Sequence, residues 1–109
     1  MNALTQDWLD VGALTDIPLR GGRVVRTPRG CIAVFRAFDD AVFALDDRCP
    51  HKGGSLSDGI VHGHKVTCPL HGLVVSLDTG AAPEEGTVRT HAVRVEQGRI
   101  LLDAAALRP

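Results

Sequence analysis

Two short stretches of this 109-residue sequence concentrate side chains that bind metals. The first reads Cys49-Pro50-His51 and the second Cys68-Pro69-Leu70-His71, so each couples a thiol to an imidazole and sets a proline after the cysteine. Sixteen residues, Lys52 to Thr67, separate them. Two of the three cysteines and four of the five histidines fall between Cys49 and His71. Two thiolates and two neutral imidazoles brought together make a metal site, and both zinc and iron accept that donor set. A structural zinc site usually pairs like ligands, with two cysteines in one half and two histidines on a helix in the other. Here each half is mixed and no helical period runs near either. Gly53, Gly54 and Gly72 follow the histidines, so backbone N–H groups can come close to the bridging sulfides of a [2Fe-2S] cluster. A structural zinc module without redox chemistry is the alternative.

Strands must position these tips, because the surrounding sequence has the punctuation of a β protein. Residues 1–19, through Trp8, Leu9, Val11, Leu14 and Ile17, read as a first strand and a connection closing one side of the core. Arg23 to Thr27 and Cys31 to Phe38 read as strands joined by the turn Pro28-Arg29-Gly30, and Val42 to Leu45 returns after Asp39-Asp40. Between the tips, Gly59 to Thr67 makes a small hairpin bent at Gly63. Leu73 to Leu77 is a strand ending in the turn Asp78-Thr79-Gly80, and Ala81 to Gly86 is a loop built round Pro83. His91 to Glu96 alternates, Gln97-Gly98 turns, and Arg99 to Leu102 closes a last hairpin, with a helical turn expected in the tail from Asp103 to Pro109. Short strands at regular spacing predict an all-β antiparallel sandwich. One domain over residues 1–109 is expected, with the metal-binding segment at about 46–86 as a small subdomain of two loops.

A formal charge of −1 gives no reason to expect nucleic acid or an acidic membrane surface as partner. The N-terminal stretch carries acids and no apolar run, which argues against a secretion signal, and no segment has the roughly 18 apolar residues of a membrane helix. An odd cysteine count with two thiols committed to the tips argues against a disulfide framework. A cytoplasmic protein is the expectation.

The pattern Cys-Pro-His, sixteen residues, Cys-Pro-Leu-His resembles the Rieske iron–sulfur signature. That resemblance implies a Rieske-type β-sandwich carrying one [2Fe-2S] cluster per chain. In that family Cys49 and Cys68 would hold the iron that stays ferric, and His51 and His71 the iron that is reduced. Neutral imidazoles in place of two thiolates raise the potential above that of an all-cysteine cluster. The respiratory branch adds a disulfide across the tips and a serine and tyrosine hydroxyl to the sulfurs. Here the corresponding positions are Gly54, Leu70 and Leu73, and the chain contains no tyrosine. Their absence implies a potential low in the family's range of about −150 to +300 mV. Val42 to Gly63 and Val66 to Gly80, with His51-Lys52-Gly53-Gly54 at the first tip, are similar to small subunits of cytoplasmic NAD(P)H-dependent nitrite reductases. The implied partner is a large subunit with FAD, a [4Fe-4S] cluster and sirohaem that reduces nitrite to ammonium. The alternative is the ferredoxin of an aromatic-ring dioxygenase, with a flavoprotein reductase and a terminal oxygenase as partners.

Other residues read more plainly. His62 and His64, two apart, are expected on one strand face as surface or packing histidines. His91 is expected to be structural or solvent-facing, and Cys31, alternating with Ala33 and Phe35, a small buried hydrophobe. Asp46-Asp47 reads as a turn approaching the first tip rather than an acid/base pair. Arg20, Arg23, Arg26, Arg29 and Arg36 read as a solvated hairpin face, with a docking patch for an acidic partner as the competing reading. Pro83 and its loop would cover a third side of the cluster. No nucleotide fingerprint or triad order is present, so catalytic residues are not expected in this chain alone.

Overall fold

A computed structural model describes residues 8–28, 30–49, 54–69, 72–83 and 85–103. The centre of the fold is β3 (Gly30–Arg36), whose run Ile32-Ala33-Val34-Phe35 is buried throughout. Successive side chains of a strand leave opposite faces. Ile32 and Val34 enter one apolar cluster with Ile17, Ala44, Ile100 and Leu102, whereas Ala33 and Phe35 enter another with Leu45, Leu56, Val66, Val75 and Leu77. A strand covered on both faces has no polar side to show, so its sequence is a continuous apolar run. Each fully buried aliphatic or aromatic side chain contributes about 1.5–3 kcal/mol.

Around β3 lies a four-stranded antiparallel sheet, in the order β10 (Thr90–His91), β4 (Val42–Asp46), β3 and β2 (Gly21–Thr27). The β3–β4 register sets Ala33 opposite Leu45 and Phe35 opposite Phe43 on one face, and Val34 opposite Ala44 on the other. Against the second face packs a sheet in the order β1 (Trp8–Ala13), β12 (Arg99–Asp103) and β11 (Val93–Glu96). These two sheets form the sandwich. Its first face carries a third layer, made of β5 (Ile60–His62), β6 (Lys65–Thr67) and β7 (Val74–Ser76), with the two-stranded ribbon β8 (Ala81–Ala82) and β9 (Gly86–Thr87).

The expected strands are present, and the structure refines several of them. The loop expected round Pro83 is a short hairpin, with Pro83 exposed in its turn. The run His91 to Glu96 divides between two sheets, since His91 pairs with Ala44 and Val93 with Leu102. Cys31 is exposed rather than buried. Its phase along β3 matches Ala33 and Phe35, but it stands opposite Arg26, beyond the apolar cover. His62 and His64 do not share a strand, because Gly63 (φ +58) and His64 form the turn between β5 and β6. His62 bonds Thr67 Oγ1 at 2.6 Å, while His64 bonds Asp39 at 2.9 Å between the rings of Phe38 and Phe43. The arginines are also divided: Arg36 forks onto Asp40 and the Ile17 carbonyl, and Arg23 faces Asp16 at 3.7 Å. Arg29 and the tail after Asp103 lie outside the described residues.

The outer strands are tied by charge as well. Arg99 grips Asp10 through Nε and Nη2, both at 2.9 Å, linking β12 to β1. That grip, and then the Gly12 N–H, hold the Asp10 carboxyl below the ordinary 3.8. A carboxylate whose folded value is depressed stabilises the fold above its unfolded value, and the effect is lost as pH falls through the folded one. In an NMR titration Asp10 is expected to titrate below ordinary aspartates, and Arg99→Ala to raise it toward the ordinary range, with the Gly12 N–H retaining part of the effect.

Candidate metal centre

Cys49 lies three residues beyond β4, and the approach to it is closely held. Asp46 donates its N–H to the Arg89 carbonyl at 2.9 Å, and its carboxylate meets His91 Nε2 at 2.7 Å. The His91 side chain is only 5% exposed, in keeping with a structural role. Asp47 donates its N–H to the Cys31 carbonyl at 2.9 Å. Its side chain turns to the far end of the tip, where Oδ1 accepts the Ser57 N–H at 2.7 Å and Oδ2 accepts the Ser57 hydroxyl at 2.8 Å. Ser57 belongs to a single 3-10 turn, Leu56–Asp58, pinned by the fully buried Leu56. Gly59 ends that turn where a Cβ would stand 2.5 Å from the Thr67 carbonyl, so no larger residue fits without movement. Each position of Leu56-Ser57-Asp58-Gly59 except Asp58 thus has an identifiable task.

The second tip is built the same way. Cys68 follows β6 directly, and its N–H donates to the Leu73 carbonyl at 2.7 Å. The N–H of Cys49 donates to the Gly54 carbonyl, also at 2.7 Å. In both tips the cysteine amide therefore closes onto the carbonyl five residues later. Gly72, at φ +70, returns its N–H to the Cys68 carbonyl at 3.0 Å, a left-handed conformation that suits glycine.

Both cysteines are 99% buried, and they share one apolar cluster with Leu45, Leu56, Val66, Val75 and Leu77. Two chain segments nearly twenty residues apart thus bring their thiols to one place at the roots of two matching loops. Ala82 and Val88, from either side of the β8–β9 hairpin, enter the same cluster. His51 and His71 lie outside the described residues, as do Pro50, Lys52, Gly53 and Leu70. The other three histidines are engaged with Thr67, Asp39 and Asp46. An open cleft of about 420 Å³ lies elsewhere, lined by residues of β1, β2 and β12 such as Asp10, Arg23 and Arg99. The paired thiols, each in a loop with a histidine two or three residues on, fit a cofactor held between two loops.

Comparison with known proteins settles the family. The model of the Rieske-like [2Fe-2S] domain matches residues 7–103. The chain belongs to this family. It is a Rieske electron-transfer protein, and its cofactor is a [2Fe-2S] cluster. It is 31% identical over 102 residues to the ferredoxin component of the naphthalene 1,2-dioxygenase/salicylate 5-hydroxylase systems of a Ralstonia species, covering 91% of this chain and 97% of that protein. A candidate NADH-dependent nitrite reductase small subunit from Mycobacterium tuberculosis superposes with a TM-score of 0.80 at 27% identity, over 90% of this chain and 95% of the other. The ferredoxin in an oxygenase–ferredoxin complex of carbazole 1,9a-dioxygenase superposes at 0.78 with 29% identity, over 91% and 94%. No helix among the described residues is long and apolar enough to cross a membrane.

The sequence places Asp46-Asp47 in a turn before the first tip but does not join Asp47 to Ser57 or Asp46 to His91. The available signal was a pair of acids directly before a ligand motif, and it pointed no further than a turn. Gly80 is a further constraint. It sits at φ +78, and a Cβ there would overlap the Val88 carbonyl, which belongs to the hairpin feeding the cysteine cluster. Gly80→Ala is expected to destabilise the protein by more than about 1 kcal/mol, read as a lowered urea midpoint.

Proposed function

We propose that the chain is the small subunit of a cytoplasmic NAD(P)H-dependent nitrite reductase, with Cys49, His51, Cys68 and His71 as cluster ligands. The observation that carries the subunit assignment is the His51-Lys52-Gly53-Gly54 tip with its Ile60–Val66 hairpin, on a chain of which 90% superposes on a candidate nitrite reductase small subunit. Cys49 and Cys68 would hold the ferric iron from the buried side, and His51 and His71 the reducible iron from the outer side. The cluster supplies one-electron transfer. The protein supplies two loops tied at their roots and an apolar wall behind the thiols, and His51 and His71 would be the gateway through which a partner's electrons pass. The whole chain works as one unit, with the cluster-binding segment at about 46–86. Its partner is a large flavin and sirohaem subunit, and reduction of nitrite to ammonium takes place there.

A second reading is supported by sequence identity. The relatives at about 30% identity are ferredoxin components of dioxygenases, which makes an electron carrier between a flavoprotein reductase and an oxygenase the alternative. Partner capture separates the two. Co-purification with a large sirohaem–flavin protein, and stimulation of its NAD(P)H-dependent nitrite consumption, is the expected outcome. Reduction by a separate flavoprotein with onward transfer to an oxygenase, and no association with the sirohaem protein, would overturn it. The ligand assignment is tested alone: His71→Ala, purified anaerobically, should lose the visible and EPR spectrum of the wild-type cluster, and an unaltered spectrum would refute it.

A further inference from the structure

We propose that Asp47 is a positioning residue for the cluster, whose carboxylate ties the two ends of the first tip together and whose negative charge holds the reduction potential down. The inference rests on Cys49 being a ligand. Three observations carry it. First, Asp47 precedes Cys49 by two residues, so their Cα atoms are at most about 8 Å apart along the chain. Second, both oxygens of the half-buried carboxylate act as acceptors, Oδ1 for the Ser57 amide at 2.7 Å and Oδ2 for the Ser57 hydroxyl at 2.8 Å. Third, no lysine, arginine or histidine among the described residues forms an ion pair with Asp47, whereas the neighbouring Asp46 meets His91.

The geometry links tip and core. Ser57 follows Leu56, whose fully buried side chain lies in the same apolar cluster as both cysteines. Fixing Ser57 to Asp47 therefore sets the span over which the first tip must close, alongside the bond from Cys49 N–H to the Gly54 carbonyl. The charge acts separately. Reduction adds an electron to the cluster, and a fixed anion on the segment that carries its ligand opposes that addition. The Asp47 charge thus favours the low-potential behaviour implied by the absent disulfide and tyrosine, while Ser57 holds the carboxylate in place.

Three variants separate the tie from the charge. Asp47→Asn keeps an acceptor for the Ser57 amide and a partner for its hydroxyl but removes the charge. Ser57→Ala and Asp47→Glu keep the charge and weaken or misplace the tie. Each is purified anaerobically with its cluster, its midpoint potential is measured by redox titration at one pH, and its cluster half-life is measured under chelator. Asp47→Asn is expected to shift the one-electron equilibrium toward the reduced form by roughly threefold to tenfold, the latter being about 59 mV. Ser57→Ala and Asp47→Glu are expected to keep the wild-type potential and lose the cluster several-fold faster. An unchanged potential in Asp47→Asn, or an equal rise in all three variants, would overturn the proposal. If Asp47→Asn assembles no cluster, the other two decide: a raised potential in either refutes the role of the charge, and a wild-type half-life in both refutes the tie. A wild-type-like spectrum in Cys49→Ala would instead refute the ligand assignment on which the inference rests.

Discussion

The whole molecule depends on burying β3 and β4 from both sides. A two-layer sandwich could cover one face of this sheet with β1, β12 and β11 and leave the other to water. Here Phe35, Leu45 and Ala33 point away from that sandwich and need cover of their own. Leu56, Val66, Val75 and Leu77 supply it, and all four belong to the segments that carry or connect the metal tips. The hydrophobic effect that completes the core therefore also docks the cofactor-binding layer. It brings the two cysteines into the same dry cluster.

Apolar burial sets where the tips lie but is too non-directional to shape them. Their shape comes from hydrogen bonds with defined geometry. The cysteine amides close each loop five residues on, Gly72 turns the second loop through a left-handed conformation, and Asp47 binds the far end of the first. These bonds lie beside a buried core, where an unmet donor or acceptor is costly. Loops so constrained hold the two cysteine thiols in fixed positions, and rigidity of that kind suits electron transfer, since the surroundings need not rearrange when the charge changes.

The histidines illustrate how one residue type is put to different ends. His91 has a nearly covered side chain that engages Asp46 beneath the first tip, and His64 bridges to the β3–β4 turn through Asp39. His62 serves the outer face of the small sheet through Thr67. Each fastens an element near the cluster layer. In the sequence, His51 and His71 each lie in a glycine-containing tip that begins with Cys-Pro.

The sequence by itself determined the Rieske resemblance, the β class and most strand positions. Cys-Pro-His and Cys-Pro-Leu-His are local patterns, and so are the Gly-Pro-Asp turns and the alternation that marks strands. It did not reveal that Cys31 lies outside the core, because alternation tells which face a side chain takes and not how far the covering layer reaches. Nor did it separate His62 from His64, whose directions follow from a turn at Gly63 rather than from a continuous strand. Asp47 and Ser57, ten residues apart, gave no period or motif that would join them. Only the tertiary structure decided these points, since each depends on which distant segment comes to lie alongside: β1 against β12, Asp46 against His91, and the two cysteine roots against the far face of β3.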